Sequence, residues 1–213
     1  MKYQSQMLAD TRSSVLQRVR NPEDRQAWER FYDLYADFIF SLARRSGLQE
    51  ADSADVVQAV MIELAGKMGR FEYDRKKGRF RSWLATCTSH RIKDAMRVRQ
   101  RRQKREVAGL DQNERRTEYI LRHADPAKTD FDRMVEEEWQ DAIKDHALVE
   151  TRKNVSAKQF ELFHAYVVEE WTVDRVMKTY NVSRDQIYQA KRRVGVVFDS
   201  AIQVAERVLE HRE

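Results

Sequence analysis

Glycine, proline and cysteine are all scarce in this chain, which has 213 residues but only six Gly, two Pro and one Cys. Because Gly and Pro end helices and form tight turns, their scarcity argues against a fold that is rich in turns. Residues of high helix propensity, such as Ala, Leu, Glu, Lys, Arg and Gln, occur throughout instead. The chain is 41% hydrophobic, which is enough for real cores, so the sequence predicts an all-α fold.

Long apolar segments and paired cysteines are missing as well. Cys87 has no second cysteine with which to form a disulfide within the chain, and no apolar run approaches the roughly 20 residues that cross a bilayer. The N-terminus does not resemble a signal peptide, because Lys2, Asp10 and Arg12 surround no apolar stretch. We therefore expect the protein to reside in the reducing cytoplasm.

Residue patterns typical of catalysis are also absent from the sequence. The histidines are scattered without metal-ligand spacing to acidic residues or cysteine; they are His90, His123, His146, His164 and His211. Cys87 and His90 lie one helical turn apart, but no third group orients them as nucleophile and base, so a buried cysteine is expected. No glycine-rich phosphate loop occurs either. The sequence predicts a protein that is not an enzyme and that binds neither a metal nor a cofactor.

Positive charge exceeds negative charge only slightly, with 40 Lys and Arg against 35 Asp and Glu. The net charge of +5 does not by itself predict a nucleic-acid partner, since only a clustered patch releases counterions from a phosphate backbone. Two clusters do occur. Residues 69–79, GRFEYDRKKGR, read as a basic loop, and the segment that begins at Phe80 ends in a run of arginines.

Hydrophobic periodicity predicts two helical domains. Apolar residues recur at three- and four-residue steps from about Pro22 to Ser46, where the apolar face is aromatic and Gly47 is expected to end the helix, and again from Asp52 to about Gly69. Residues 106–130 are charged and have no apolar period, which predicts a flexible linker. Helical periodicity resumes after this linker. The predicted domains are residues 11–105 and residues 131–210.

The second domain contains the pattern of a helix-turn-helix. Thr172 is placed to cap a short first helix, and Asn181 tolerates the left-handed conformation that a tight interhelical turn requires. Val182 is expected to pack at the junction between the two helices. Ser183 and Gln186 have the spacing of a capping box at the start of the second helix, whose predicted inward positions are Ile187, Ala190 and Val194. That helix directs hydrogen-bonding and cationic groups outward, which suit base edges and phosphates; they are Arg184, Asp185, Tyr188, Gln189, Arg192 and Arg193. Paired amphipathic helices also occur in bundles that bind no ligand, and this alternative stays open.

The two domains together resemble the sigma factors of bacterial RNA polymerase, in particular the small two-domain extracytoplasmic-function group of the sigma-70 family. AWERFYDLYADFIFSLARRSG is similar to the first helix of sigma region 2, and DSADVVQAVMIELAGKM is similar to its aspartate-rich helix. GRFRSWLATCTSHRIKDAMRVRQRR is similar to the segment that melts and reads the minus-ten element, and the helix-turn-helix resembles region 4. The resemblance covers all of the chain except the linker and the ends.

The resemblance implies a role for each segment. Polymerase binding, through the clamp helices of the largest subunit, is implied for Asp52, Asp55 and Gln58. Capture of the melted minus-ten strand is implied for Lys76, Lys77, Arg79, Phe80, Arg81, Trp83, Arg91 and Arg97, and stacking surfaces beside a cationic track suit unpaired bases. The outward set of the helix-turn-helix is expected to read the minus-thirty-five element. The flap of the second-largest polymerase subunit, promoter DNA and an anti-sigma protein are further implied partners.

Other interpretations of these residues stay open. Phe80 and Trp83 have the spacing of an ordinary buried stripe, and core packing is favoured for Trp83. The basic loop is also compatible with a solvated surface, and Asp52 and Asp55 favour a helix N-terminus through its dipole. For the whole chain, the alternatives are a helix-turn-helix regulator that is not a polymerase subunit and a helical protein-interaction module. His90, Arg91, Val176 and Asn181 depart from the residues common in the family, so the promoter sequence is not predicted.

Overall fold

The computed structural model describes residues 13–69, 80–106 and 126–210. Within these ranges the prediction of an all-α fold is confirmed, since helices account for nearly every residue and no strand occurs. The helices are α1 (Ser13–Arg18), α2 (Arg25–Arg45), α3 (Glu50–Met68), α4 (Phe80–Glu106), α5 (Pro126–Asn154), α6 (Ala157–Phe163), a π-helical segment (His164–Val168), α7 (Val173–Tyr180) and α8 (Arg184–Glu210).

The chain divides into two compact units, Met1–Gln140 and Asp141–Glu213. Helix α5 begins at Pro126, inside the stretch predicted as linker, and its first part is counted with the N-terminal unit. Most of the predicted linker, residues 107–125, lies outside the described residues. The predicted domain limits therefore stay predictions.

Local chemistry sets the ends of α2. The Asp24 side chain accepts the backbone N–H of Ala27 at 3.1 Å and thereby caps the helix. Its carboxylate also pairs with Arg18 of α1 at 2.8 Å. The hydrogen bond from Arg18, followed by that from Ala27, lowers the pKa of Asp24. At the other end Gly47 adopts a left-handed φ of 93°, which confirms the prediction that this glycine ends the helix.

An aromatic cluster fills the core of the N-terminal unit. Phe31 and Tyr35 of α2 lie against Phe80 at the start of α4, with ring centroids 6.1 and 5.2 Å from that of Phe80. Trp139 of α5 closes the cluster, with its ring stacked 6.2 Å from Tyr35 and edge-on 4.9 Å from Phe38. All five side chains are buried. The broad aromatic face predicted for α2 is thus the centre of this core.

Cys87 of α4 is buried in the same unit, as expected from the sequence. Burial raises the pKa of its thiol, because a thiolate is poorly solvated in apolar surroundings. The protonated form is therefore favoured at neutral pH, whereas cysteine nucleophiles lie in environments that lower the pKa of the thiol.

The C-terminal unit has its own smaller core around the turn between α7 and α8. Its buried members are Leu162, Ala165, Val176, Val182, Ile187 and Ala190. Val182 lies between the two helices and packs into this cluster, as the sequence predicts. Side chains at the edge of the cluster, among them Tyr166 and Trp171, pack against it and remain partly exposed.

Candidate nucleic-acid and polymerase interfaces

The turn between α7 and α8 has the geometry predicted for a helix-turn-helix. Thr172 caps α7, and its hydroxyl accepts the backbone N–H of Arg175 at 3.3 Å. Asn181 ends the helix in the left-handed conformation, with φ 49° and ψ 57°, and its N–H donates to the carbonyl of Met177. Asn adopts this conformation more readily than most residues. These contacts confirm the predicted cap and turn.

The start of α8 is fixed by the predicted capping box. The backbone N–H of Ser183 donates to Oε1 of Gln186 at 2.9 Å, and the backbone N–H of Gln186 donates to Oγ of Ser183 at 3.3 Å. The inward positions Ile187, Ala190 and Val194 are buried, as predicted. The helix therefore buries this face and leaves its opposite face exposed.

The opposite side of α8 carries the predicted outward set, and all six of its members are exposed: Arg184, Asp185, Tyr188, Gln189, Arg192 and Arg193. Lys191, which sequence reasoning did not single out, is also exposed and lies over the ring of Tyr166, with Nζ 5.5 Å from the ring centroid. Four cations on the first three turns of one helix give a positive surface that suits a phosphate backbone.

A polar cavity of about 260 Å³ lies beside this surface. Ser156, Lys158 and Gln159 at the start of α6 line it together with Gln186 and Gln189 of α8. Sequence reasoning missed the residues from α6, because nothing in a local pattern indicates which distant helix end will lie next to α8.

In the N-terminal unit, the three residues predicted to bind polymerase lie on α3. Asp55 and Gln58 are exposed and one helical turn apart, so they share a face, whereas Asp52 is half-buried. Ile62 lies one turn further along the same helix and is 73% exposed. Ile62 thus adds apolar area beside Asp55 and Gln58, and its exposure was not predictable from the sequence.

Arg81, predicted to contact the melted strand, is held by two residues of α5. Its guanidinium pairs with Glu136 at 2.8 Å and lies 5.9 Å from the ring centroid of Trp139, and the side chain is only 13% exposed. Two further ion pairs join the same helix to α2, because Arg45 contacts both Glu137 and Glu138. The structure thus brings Arg81 to a contact with a carboxylate that the sequence did not indicate.

The aromatic residues of the predicted melting segment face the core to different degrees. Phe80 is 1% exposed and belongs to the aromatic cluster. Trp83 is half-buried, with its ring 5.5 Å from that of Phe80. Both positions agree with the core interpretation that the spacing left open. Their contact with DNA stays a prediction, as does that of Lys76, Lys77 and Arg79, which lie outside the described residues.

Arg91 links α4 to α3. Its Nε donates to Glu63 at 2.7 Å, and Glu63 also pairs with Lys67. The hydrogen bond from Lys67 lowers the pKa of Glu63 most, burial opposes this effect, and Arg91 adds to the lowering. Arg97, the last of the predicted cations, is exposed and lies 3.3 Å from Asp94. Arg97 thus remains the more accessible of the two arginines to a phosphate.

Two kinds of site do not occur in the part of the chain that the structure describes. No group of three or more His, Cys, Asp or Glu side chains is arranged to hold a metal ion. No helix between residues 13 and 210, leaving out 70–79 and 107–125, is long and apolar enough to span a membrane.

Comparison with known families agrees with the N-terminal half of the resemblance. Residues 31–102, about a third of the chain, match the family model described as sigma-70 region 2. The matched range includes α3 and most of α2 and α4. This match supports membership of the sigma-70 family. No curated protein matches the chain.

Proposed function

We propose that this protein is a sigma factor of the extracytoplasmic-function group, which directs core RNA polymerase to specific promoters in the cytoplasm. The observation that carries the proposal is the order of two features along the chain: a region 2 match over residues 31–102 and a helix-turn-helix at residues 172–193. A protein with this order binds polymerase and melted DNA through one unit and duplex DNA through the other. It carries out no chemistry of its own.

The exposed face of α3 is the proposed polymerase-binding surface. Asp55 and Gln58 offer a carboxylate and an amide on the same side, and Ile62 adds apolar area that is largely exposed in the free protein. A polar rim around an apolar side chain is the usual composition of a protein interface. The clamp helices of the largest polymerase subunit are the proposed partner.

The segment from Lys76 to Arg97 is the proposed binding site for the minus-ten strand. Arg97 and Trp83 are at least partly accessible, and Arg91 and Arg81 supply positive charge along the same helix. Flipped or unpaired bases need stacking surfaces and a cationic track for their backbone. Arg81 has to leave Glu136 before its full charge is available to a phosphate.

Helix α8 is the proposed reader of the minus-thirty-five element. Gln189 and Arg192 are exposed side chains of types that read base edges in a major groove, and Arg193 lies next to them for phosphate contact. The cap, turn and capping box order the backbone at the start of the helix, which favours base reading because less backbone freedom remains to be lost on binding.

A binding experiment with purified chain and core polymerase tests the proposal. We expect the two to co-migrate on a sizing column and the complex to retain single-stranded DNA with a minus-ten-like sequence. A chain that binds duplex DNA but neither polymerase nor single strands would instead be a helix-turn-helix regulator. A chain that binds no DNA with salt-dependent affinity would be a protein-interaction module.

A further inference from the structure

Tyr166 lies outside α8 but contacts two exposed residues of that helix. Its ring meets the ring of Tyr188 nearly edge-on, with centroids 6.0 Å apart and an interplanar angle of 75°. Lys191, one turn further along α8, places its ammonium 5.5 Å from the centre of the same ring. Tyr166 thus packs against one turn of α8, on the face that is predicted to read DNA.

The backbone around Tyr166 is fixed by an unusual helical turn. His164–Val168 form a π-helical segment, in which the N–H of Glu169 donates to the carbonyl of His164 at 2.9 Å. The N–H of Trp171 donates to the carbonyl of Ala165, which is itself buried in the core of the unit. Single π-helical turns are frequent at functional sites. Here the turn presents Tyr166 at the edge of the core, against α8.

Tyr188 belongs to the exposed residues of α8 that are proposed to contact bases. It is 45% exposed and lies next to Gln189 on the outward side of α8. An aromatic ring in the major groove can make an apolar contact with the 5-methyl group of thymine, which adenine, guanine and unmodified cytosine lack. Because Tyr166 contacts one side of the Tyr188 ring, the number of orientations open to that ring is reduced.

From this geometry we propose that Tyr166 is a positioning residue, which orients Tyr188 so that the chain prefers thymine at the base that Tyr188 meets. Tyr166 does not touch the DNA, and Lys191 supplies a phosphate contact beside it. The inference rests on the proposed reading of duplex DNA by α8 and adds the base class that one position of the site accepts.

The test removes the methyl group from the DNA and the ring from the protein. The full-length chain first selects its preferred sequence from a randomised duplex library, and each thymine of that sequence is then replaced by uracil. At one position we expect the affinity of the unaltered protein to fall about fourfold, because burial of one methyl group strengthens binding by about that factor. Tyr188→Ala and Tyr166→Leu should bind the thymine and uracil duplexes equally well at that position.

Two variants separate positioning from folding. Tyr166→Phe keeps the ring and should keep the full uracil penalty, whereas Tyr166→Met fills the space without a ring and should lose it. The matched control is Tyr180→Leu, because Tyr180 is also half-buried at the edge of the same core but has its ring contact with Trp171 and not with Tyr188. This control should keep the penalty.

The outcomes are distinct. The inference is overturned if folded Tyr166→Leu or Tyr166→Met retains the uracil penalty, or if Tyr180→Leu loses it to the same extent. An unaltered protein that selects a sequence but shows no uracil penalty overturns the inference and leaves the reading of duplex DNA intact. An unaltered protein that selects no sequence overturns the proposed reading itself and the inference with it.

Discussion

Replacement of Trp139 by alanine is expected to destabilise the N-terminal unit, although the sequence alone places this residue in the C-terminal domain. Trp139 is fully buried, and its ring contacts Tyr35 and Phe38 of α2. Truncation of a buried tryptophan costs about 3–5 kcal/mol of unfolding free energy, because apolar burial is lost and a cavity remains. Trp139→Phe should cost much less. It keeps ring contacts and removes an indole N–H that has no hydrogen-bond partner among the described residues.

Amide hydrogen exchange, followed helix by helix, measures this loss. In Trp139→Ala the protection of the most stable amides of α2 should fall by at least about a hundredfold, the equivalent of 3 kcal/mol. Amides of α7 and α8 should keep their protection, because they belong to the other unit. Tyr32→Ala is the control, since Tyr32 lies on α2 itself and also loses an aromatic ring but is 49% exposed. Unchanged protection in α2, or an equal loss in α7 and α8, would refute the reasoning.

Four further outcomes are expected. Arg193→Ala should weaken duplex binding and reduce the slope of log affinity against log salt by about 0.9, if one phosphate contact is lost, as measured by a salt titration; an unchanged slope would place this side chain away from the backbone. Asp55→Ala should weaken binding to core polymerase while duplex binding stays the same, and equal loss of both would indicate misfolding. Glu63→Gln should lower the melting temperature at pH 7 but not in acid. Because Lys67 lowers the folded-state pKa of Glu63, the stabilisation by this carboxylate is present at neutral pH and disappears as the pH falls through that pKa. A lowered melting temperature that persists in acid would contradict this. Cys87 should react with a thiol reagent at pH 8 only as fast as the N-terminal unit opens, because its side chain is buried, and immediate reaction would show that the thiol is accessible.

Local features of the fold were predictable because local chemistry determines them. The cap at Thr172, the left-handed turn at Asn181 and the capping box at Ser183 each depend on residues no more than four positions apart. The end of α2 at Gly47 has the same origin, since one backbone conformation that glycine adopts readily is enough to stop a helix. Hydrophobic periodicity likewise predicts that helices exist and which of their faces are apolar.

Contacts between distant residues were not predictable in the same way. Nothing near Arg81 in the sequence indicates that Glu136, 55 positions away, will pair with it, or that Trp139 will pack on α2. Periodicity shows that a face is apolar but not which helix covers it. The support of Tyr188 by Tyr166 was missed for a further reason, because a π-helical turn changes the direction of side chains relative to an α-helical pattern.

Transcription by core RNA polymerase on a library of genomic fragments, with and without the purified chain, tests the central claim most directly. We predict new transcripts with discrete start sites that appear only when the chain is present. Upstream of these sites the fragments should share two sequence elements, and Asp55→Ala should reduce the yield without moving the starts. Transcripts identical to those of core polymerase alone would contradict the proposal that this protein is a sigma factor.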